Sequence, residues 1–272
     1  MYESFFGFEE KPFSLTPNTK YLYLCEQNEQ VLKTLLFGIE SNAGFMLLSG
    51  EAGSGKTTLV RAMLGVIGED IETCLVLNPL LSTLELLQSI NRDFGNICRS
   101  TSIQKQLETL NDFLLKLNAQ GKKAVVIIDE AQNLSFEAFE MTRMLSNLET
   151  ESQKLLNIIF VGQPELVKLI NQSRLRQLAQ RIQIHAELDH FTLQQTQNYI
   201  LHRIQCAGAK VSTHFENSAI KTIFKKSGGI PRIINNICEY VLLTAYCQNT
   251  RIIDRHVMGK ALKEVPGYVY YS

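Results

Sequence analysis

Apolar positions recur along this chain with two different spacings, and together they outline its elements. Val31, Leu35 and Ile39 return every four residues, which predicts a helix over 28–39 with one buried face. Gly44-Phe45-Met46-Leu47-Leu48-Ser49 is apolar without a period, as a strand covered on both sides must be. A helical stretch, Thr58-Leu59-Val60-Arg61-Ala62-Met63-Leu64, follows a few residues later, and Cys74-Leu75-Val76-Leu77 reads as a short buried strand ending at Asn78-Pro79. Leu84, Leu87, Ile90, Phe94 and Ile97 have helical spacing, and so do Ile103, Leu107, Leu110, Leu114 and Leu117. The run Ala124-Val125-Val126-Ile127-Ile128 predicts a central parallel strand. A helix over 136–148, a strand over 156–161 ending in Gly162-Gln163-Pro164, and an alternating strand over 181–185 complete the set.

Five strands separated mostly by helices predict an α/β fold, an αβα core built on a five-stranded parallel sheet. From Thr192 onward the strands stop, and helices are expected at 192–207, 216–226, 231–248 and 254–264, broken most clearly at Ser227-Gly228-Gly229-Ile230-Pro231. The expected domains are therefore a core over 1–190 and an all-helical lid over 191–272.

Chemistry concentrates in two places. Gly50-Glu51-Ala52-Gly53-Ser54-Gly55-Lys56-Thr57 fits G-x-x-x-x-G-K-[ST] without a mismatch, between a predicted strand and a predicted helix. Glycines at these positions let backbone N–H groups converge on phosphate oxygens, and the helix N-terminus adds partial positive charge. Lys56 is expected at the β- and γ-phosphates and Thr57 on magnesium. The second place is Asp129-Glu130 at the end of the β-branched run. Asp129 is expected to hold magnesium, directly or through water, and Glu130 to orient and polarise an attacking water. No N-K-x-D element for guanine occurs.

Charge and composition narrow the classes. Lys and Arg number 27 and so do Asp and Glu, so no global basic field attracts nucleic acid. Lys122-Lys123 and Lys225-Lys226 lack interleaved aromatics and read as solvated faces. The cysteines form no C-x-x-C pair and the histidines have no metal-ligand spacing. No apolar run is long enough to span a bilayer, and Met1-Tyr2-Glu3-Ser4-Phe5-Phe6 does not begin a signal peptide. A cytoplasmic protein is expected. The closing Tyr268-Val269-Tyr270-Tyr271-Ser272 does not read as the end of a domain, so a longer native protein is an open expectation. Residues 1–24, with Phe5, Phe6, Phe8, Pro12, Phe13 and Pro17, are too apolar for a solvated tail; packing across the core, or contact with a bound base, is expected of them.

Taken together, these motifs resemble the AAA+ ATPases, and within them the general secretion pathway protein A group. The resemblance rests on Tyr2-x-x-Phe5-Phe6-Gly7-Phe8 with Pro12-Phe13, Gly50 to Leu59, Ile128-Asp129-Glu130-Ala131-Gln132-Asn133-Leu134, Val161-Gly162-Gln163-Pro164-Glu165-Leu166, Leu178-Ala179-Gln180-Arg181-Ile182, Tyr199-Ile200-Leu201-His202-Arg203 and Gly228-Gly229-Ile230-Pro231-Arg232. It covers nearly the whole chain. It implies ATP contacts from Gly50, Glu51, Ala52, Gly53, Ser54, Gly55, Lys56, Thr57, Thr58 and Arg232, the last at the sensor-2 position of the lid. It implies a sensor-1 role near the γ-phosphate for Gln163, where many AAA+ members carry Asn. Asn78 is either a turn residue or a restraint on Glu130. Arg181 is the first candidate for an arginine finger acting on a neighbour's site, with Arg174 and Arg176 as competitors. The group implies magnesium-dependent ATP hydrolysis, protein partners in a secretion or type IV pilus machine at the inner-membrane face, and a homo-oligomer, a hexameric ring being one form. Longer members continue into a membrane span and a periplasmic peptidoglycan-binding region. A regulator of DNA transposition, or an initiator-like DNA-binding switch, is the alternative.

Overall fold

Three apolar runs, at 45–50, 123–128 and 157–162, become the middle of one parallel sheet. The computed structural model describes residues 2–77, 79–149, 154–209 and 213–265; Asn78 and the closing residues 268–272 lie outside them. In chain order the elements are α1 (Tyr2–Phe6), α2 (Glu26–Glu40), β1 (Phe45–Gly50), α3 (Lys56–Val66), β2 (Ile71–Val76), α4 (Thr83–Asp93), α5 (Ile103–Ala119), β3 (Lys123–Ile128), α6 (Phe136–Leu145), β4 (Asn157–Gly162), α7 (Pro164–Ile170), α8 (Arg176–Ala179), β5 (Ile182–Leu188), α9 (Leu193–Cys206), β6 (His214–Phe215), α10 (Asn217–Ser227), α11 (Pro231–Cys247), β7 (Ile252–Ile253) and α12 (Arg255–Glu264). They divide into two compact units.

The sheet unit comprises Glu26–Gly50 and Leu59–Leu188. Its strands run β2-β3-β4-β1-β5, all parallel. The three inner strands are buried almost end to end because helices cover both faces. Phe45 stacks on Phe160 at 5.6 Å between ring centres, and Phe139 of α6 closes on Phe160 at 5.5 Å. With Leu86, Ile90, Leu110 and Leu114 these rings form one core.

The edge strands explain where the expected bounds were short. β2 starts at Ile71, three residues before the apolar run, because Ile71, Glu72 and Thr73 pair with Lys123, Ala124 and Val125 while staying only half-buried. β5 alternates half-buried, exposed and buried positions and runs three residues past His185, to Leu188. The helix expected to reach Ile97 stops at Asp93, because Gly95 takes φ +78° and leaves Ile97 89% exposed. The helix expected to reach Leu148 ends at Leu145.

The helical unit comprises residues 1–25, 51–58 and 189–272. The aromatic N-terminus packs within the helical unit: Tyr2, Phe6, Phe8, Phe13 and Tyr21 share a core with Tyr199, Ile200, Ile220, Ile234 and Val241 of α9–α11. The physical reason is Arg203 on α9. It is 7% exposed, donates through Nε to Pro12 O at 2.5 Å and through a terminal nitrogen to Ser14 O at 3.1 Å, and lies 4.4 Å from the Tyr21 ring centre. A buried guanidinium needs acceptors, and the N-terminal segment supplies them. Among the described residues the expected run of helices after Thr192 is interrupted where β6 and β7 pair in parallel over two residues each. Among the described residues no helix is long and apolar enough to cross a membrane.

Candidate nucleotide site

The glycine loop leaves β1 at Gly50 and enters α3 at Lys56. Gly53 and Gly55 take φ +85° and +104°, values open to glycine and costly for residues with a Cβ. Ser54 N–H donates to Glu51 O at 3.0 Å, and Lys56 Nζ donates to the same carbonyl at 2.9 Å, so the ammonium is folded back over the loop. Lys56 and Ser54 are buried, and Thr57 and Thr58 lie half-buried in the first turn of α3, whose leading N–H groups have no partner within the helix. Glu51 and Gly55 are half-buried and Ala52 is exposed.

The sequence paired this loop with Arg232, and within the helical unit the two are adjacent. Arg232 N–H donates to Gly53 O at 3.2 Å. A Cβ on Gly53 would stand 2.5 Å from Arg232 Cβ and 3.1 Å from its Cδ, so the arginine stem rests on the glycine. Its placement follows from Ser227–Pro231: Gly228 ends α10 in the left-handed region, Gly229 accepts from Phe191 N–H at 3.0 Å, and Pro231 opens α11.

In the sheet unit the acidic pair follows β3. Asp129 is 3% exposed; its N–H donates to Val76 O at 2.9 Å and its Oδ1 accepts from Glu130 N–H at 2.9 Å. Glu130 adopts φ 51°, ψ 38°, a left-handed conformation uncommon outside glycine and found at functional turns. A 3-10 turn over Ala131–Asn133 then brings Gln132 back onto the carboxylate. Gln132 Nε2 donates to Glu130 Oε2 at 2.5 Å, Gln163 Nε2 donates to the same oxygen at 3.3 Å, and Gln163 N–H donates to Gln132 Oε1 at 3.2 Å. Glu130, Gln132 and Gln163 thus close a ring of three hydrogen bonds at the carboxyl edge of the sheet, where open parallel sheets bind ligands. Gln132 was missed by sequence reasoning. It stood in the stretch that carried the resemblance, but only the turn after Glu130 reveals its reach.

Other candidates fare differently. Arg181 directs its guanidinium to Arg143 O, Ser146 Oγ and Asn147 Oδ1 at 3.3, 2.7 and 2.6 Å. Through this one terminal nitrogen, Nη1, it caps the end of α6 in its own chain. Arg174 lies over the Phe136 ring at 4.4 Å, whereas Arg176, at the start of α8, is exposed. Asn78 lies outside the described residues. Among those residues no group of three or more His, Cys, Asp or Glu could hold a metal.

A glycine loop leaving β1, an acidic pair leaving β3 and a glutamine leaving β4 define a P-loop ATPase of the AAA+ class. A family model described as an AAA domain matches residues 39–170. General secretion pathway protein A of Aeromonas hydrophila is 40% identical over 268 residues, 98% of this chain and 49% of that protein. The chain is thus similar over nearly its whole length to general secretion pathway protein A, carries the AAA domain over 39–170, and spans about half the length, 49%, of that relative. The fold is shared more widely. The Aeropyrum pernix ORC2 protein superposes with a TM-score of 0.69 at 16% identity, over 94% of this chain and 72% of that one. Cdc6p from Pyrobaculum aerophilum gives 0.70 at 17% identity, over 94% and 71%.

Proposed function

We propose that this chain hydrolyses ATP with magnesium and uses the cycle to assemble or remodel a secretion or type IV pilus machine. The observation that carries the reading is Glu130. It is a carboxylate on a left-handed turn, directly after a buried aspartate and within hydrogen-bond reach of the glutamine that ends the neighbouring strand.

In this reading the Gly50–Thr58 backbone binds the phosphates, Lys56 exchanges the Glu51 carbonyl for the β- and γ-phosphates, and Arg232 adds a fixed charge from the helical unit. Thr57 and Asp129 would each offer a hard oxygen of the kind magnesium prefers, and the ion would neutralise charge developing on the phosphates. Glu130 orients the attacking water and receives its proton, while Gln163 positions the same water from the end of β4. A cation from a second subunit would complete the site; Arg176, exposed where Arg181 is engaged, is the better candidate. The kinship with general secretion pathway protein A supports a secretion context, protein partners, a homo-oligomer and a location at the inner-membrane face.

The test is steady-state phosphate release with and without magnesium. Wild-type protein should turn over only with the metal, and Glu130→Gln should bind ATP normally yet lose about a hundredfold or more in rate. Equal turnover in Glu130→Gln would refute this assignment.

A further inference from the structure

We infer that Gln132 is a positioning residue for Glu130, one that pins a single carboxylate oxygen so that the other faces the attacking water. The inference rests on the hydrolytic reading above. A general base works only if its reacting oxygen is held in place, and a glutamate side chain has three rotatable bonds to restrain. Two amide groups restrain this one, and both act on Oε2: Gln132 Nε2 at 2.5 Å and Gln163 Nε2 at 3.3 Å. Among the described residues Oε1 receives no hydrogen bond, so the carboxylate is anchored on one side and open on the other.

The amide of Gln132 has only one workable orientation. Gln163 N–H can only donate, so the atom 3.2 Å from it must be the amide oxygen, and the NH2 group then faces Glu130. Both ends of the amide are in use. Space for it depends on Gly162: a Cβ there would stand 2.6 Å from Gln132 Oε1 and 2.6 Å from Leu166 Cδ2. Gly162 has no left-handed φ to explain its identity. What a side chain there would disturb is the seat of Gln132.

Because Gln163 contributes both its backbone and its side chain to the ring, a shift of its side chain towards a γ-phosphate would leave Gln132 still holding Glu130. Gln132 is therefore the constant member and Gln163 the responsive one.

The experiment compares Gln132→Met, which keeps length and bulk but neither hydrogen bond, with Gln132→Glu, which keeps the acceptor for Gln163 N–H but turns an oxygen on Glu130. Both should retain the wild-type melting temperature within a few degrees and the wild-type Kd for ATP, while kcat falls about tenfold or more at unchanged KM. In a Glu130→Gln background the same changes should cost nothing further, because they act through the carboxylate. Near-wild-type kcat for Gln132→Met would mean that the residue only packs, and an undiminished loss in the Glu130→Gln background would mean that it acts elsewhere; either result overturns the inference. Absence of hydrolysis by wild-type protein would instead refute the proposed function itself, and this inference with it.

Discussion

Arg203 offers the most direct test of how the N-terminus is held. Replacing it with Ala removes two bonds to backbone carbonyls, Pro12 O and Ser14 O, a bond to Tyr199 Oη at 3.2 Å, and ring contacts with Tyr21 and Tyr199 at 4.4 and 5.8 Å. A hydrogen bond to a charged group contributes about 1.5–3 kcal/mol, and a buried acceptor left without a donor costs about 1–3 kcal/mol. The raw sum is too large, because burying the guanidinium is itself unfavourable and the loosened carbonyls can regain water. About 2–4 kcal/mol of lost stability is the expected net, in the range for breaking a buried hydrogen-bond network. Arg203→Met should lose less than Arg203→Ala, since it restores bulk but none of the donors. Urea unfolding followed by tryptophan-free far-ultraviolet circular dichroism measures the loss. Limited proteolysis locates it, and cleavage between residues 9 and 24 should accelerate before any cut in the sheet unit. If Arg203→Ala unfolds at the wild-type urea midpoint with N-terminal cleavage no faster, the guanidinium does not hold this segment and the account is wrong.

Further outcomes follow from the site. Lys56→Ala should fold normally, judged by its thermal melt, and lose tight ATP binding in a fluorescent-nucleotide titration, because the loop keeps its backbone donors but no point charge. Gly162→Ala should destabilise the sheet unit by about 1–3 kcal/mol through overpacking against the fully buried Leu166 and should lower turnover, both read from parallel melts and phosphate-release assays. Arg181→Ala should lower stability by about 1 kcal/mol or somewhat more, through loss of the α6 cap, and should leave intact any rise of specific activity with protein concentration. Arg176→Ala should do the reverse, keeping its melt and losing that rise.

Much of this was legible in the sequence because burial on both faces writes itself as unbroken apolar runs. Phe45–Ser49, Ala124–Ile128 and Ile158–Val161 could hardly be anything but inner strands, and the parallel pairing follows from the helices between them. Edge strands wrote a weaker signal: half of β2 is Ile71, Glu72 and Thr73, whose half-exposed sites tolerate any residue. Phosphate-loop and acidic positions were legible because their chemistry admits few substitutes. Gln132 was not, since a glutamine two residues after a glutamate is unremarkable until a left-handed residue folds it back. Arg181 was legible only in part for a related reason. Its position relative to β5 fits a finger, but position along a chain does not reveal that one of its terminal nitrogens bonds Ser146 and Asn147. The N-terminal aromatics declared that they would be buried without declaring where, because their partners lie on α9–α11 at the other end of the chain.

That separation has a consequence during synthesis. Pro12 and the arginine that holds it are 191 residues apart. At about 5–20 residues per second the ribosome needs roughly 10–40 s to deliver Arg203 after Pro12 has emerged. Throughout that interval Phe6, Phe8 and Phe13, buried in the finished protein, have no native surface to cover them. The sheet unit, whose residues all lie between 26 and 188, can form meanwhile, so the nascent chain passes through a stage in which a folded α/β body is preceded by an uncovered aromatic segment. Such a segment is a natural binding site for chaperones, and chains cut short before α9 would carry it permanently.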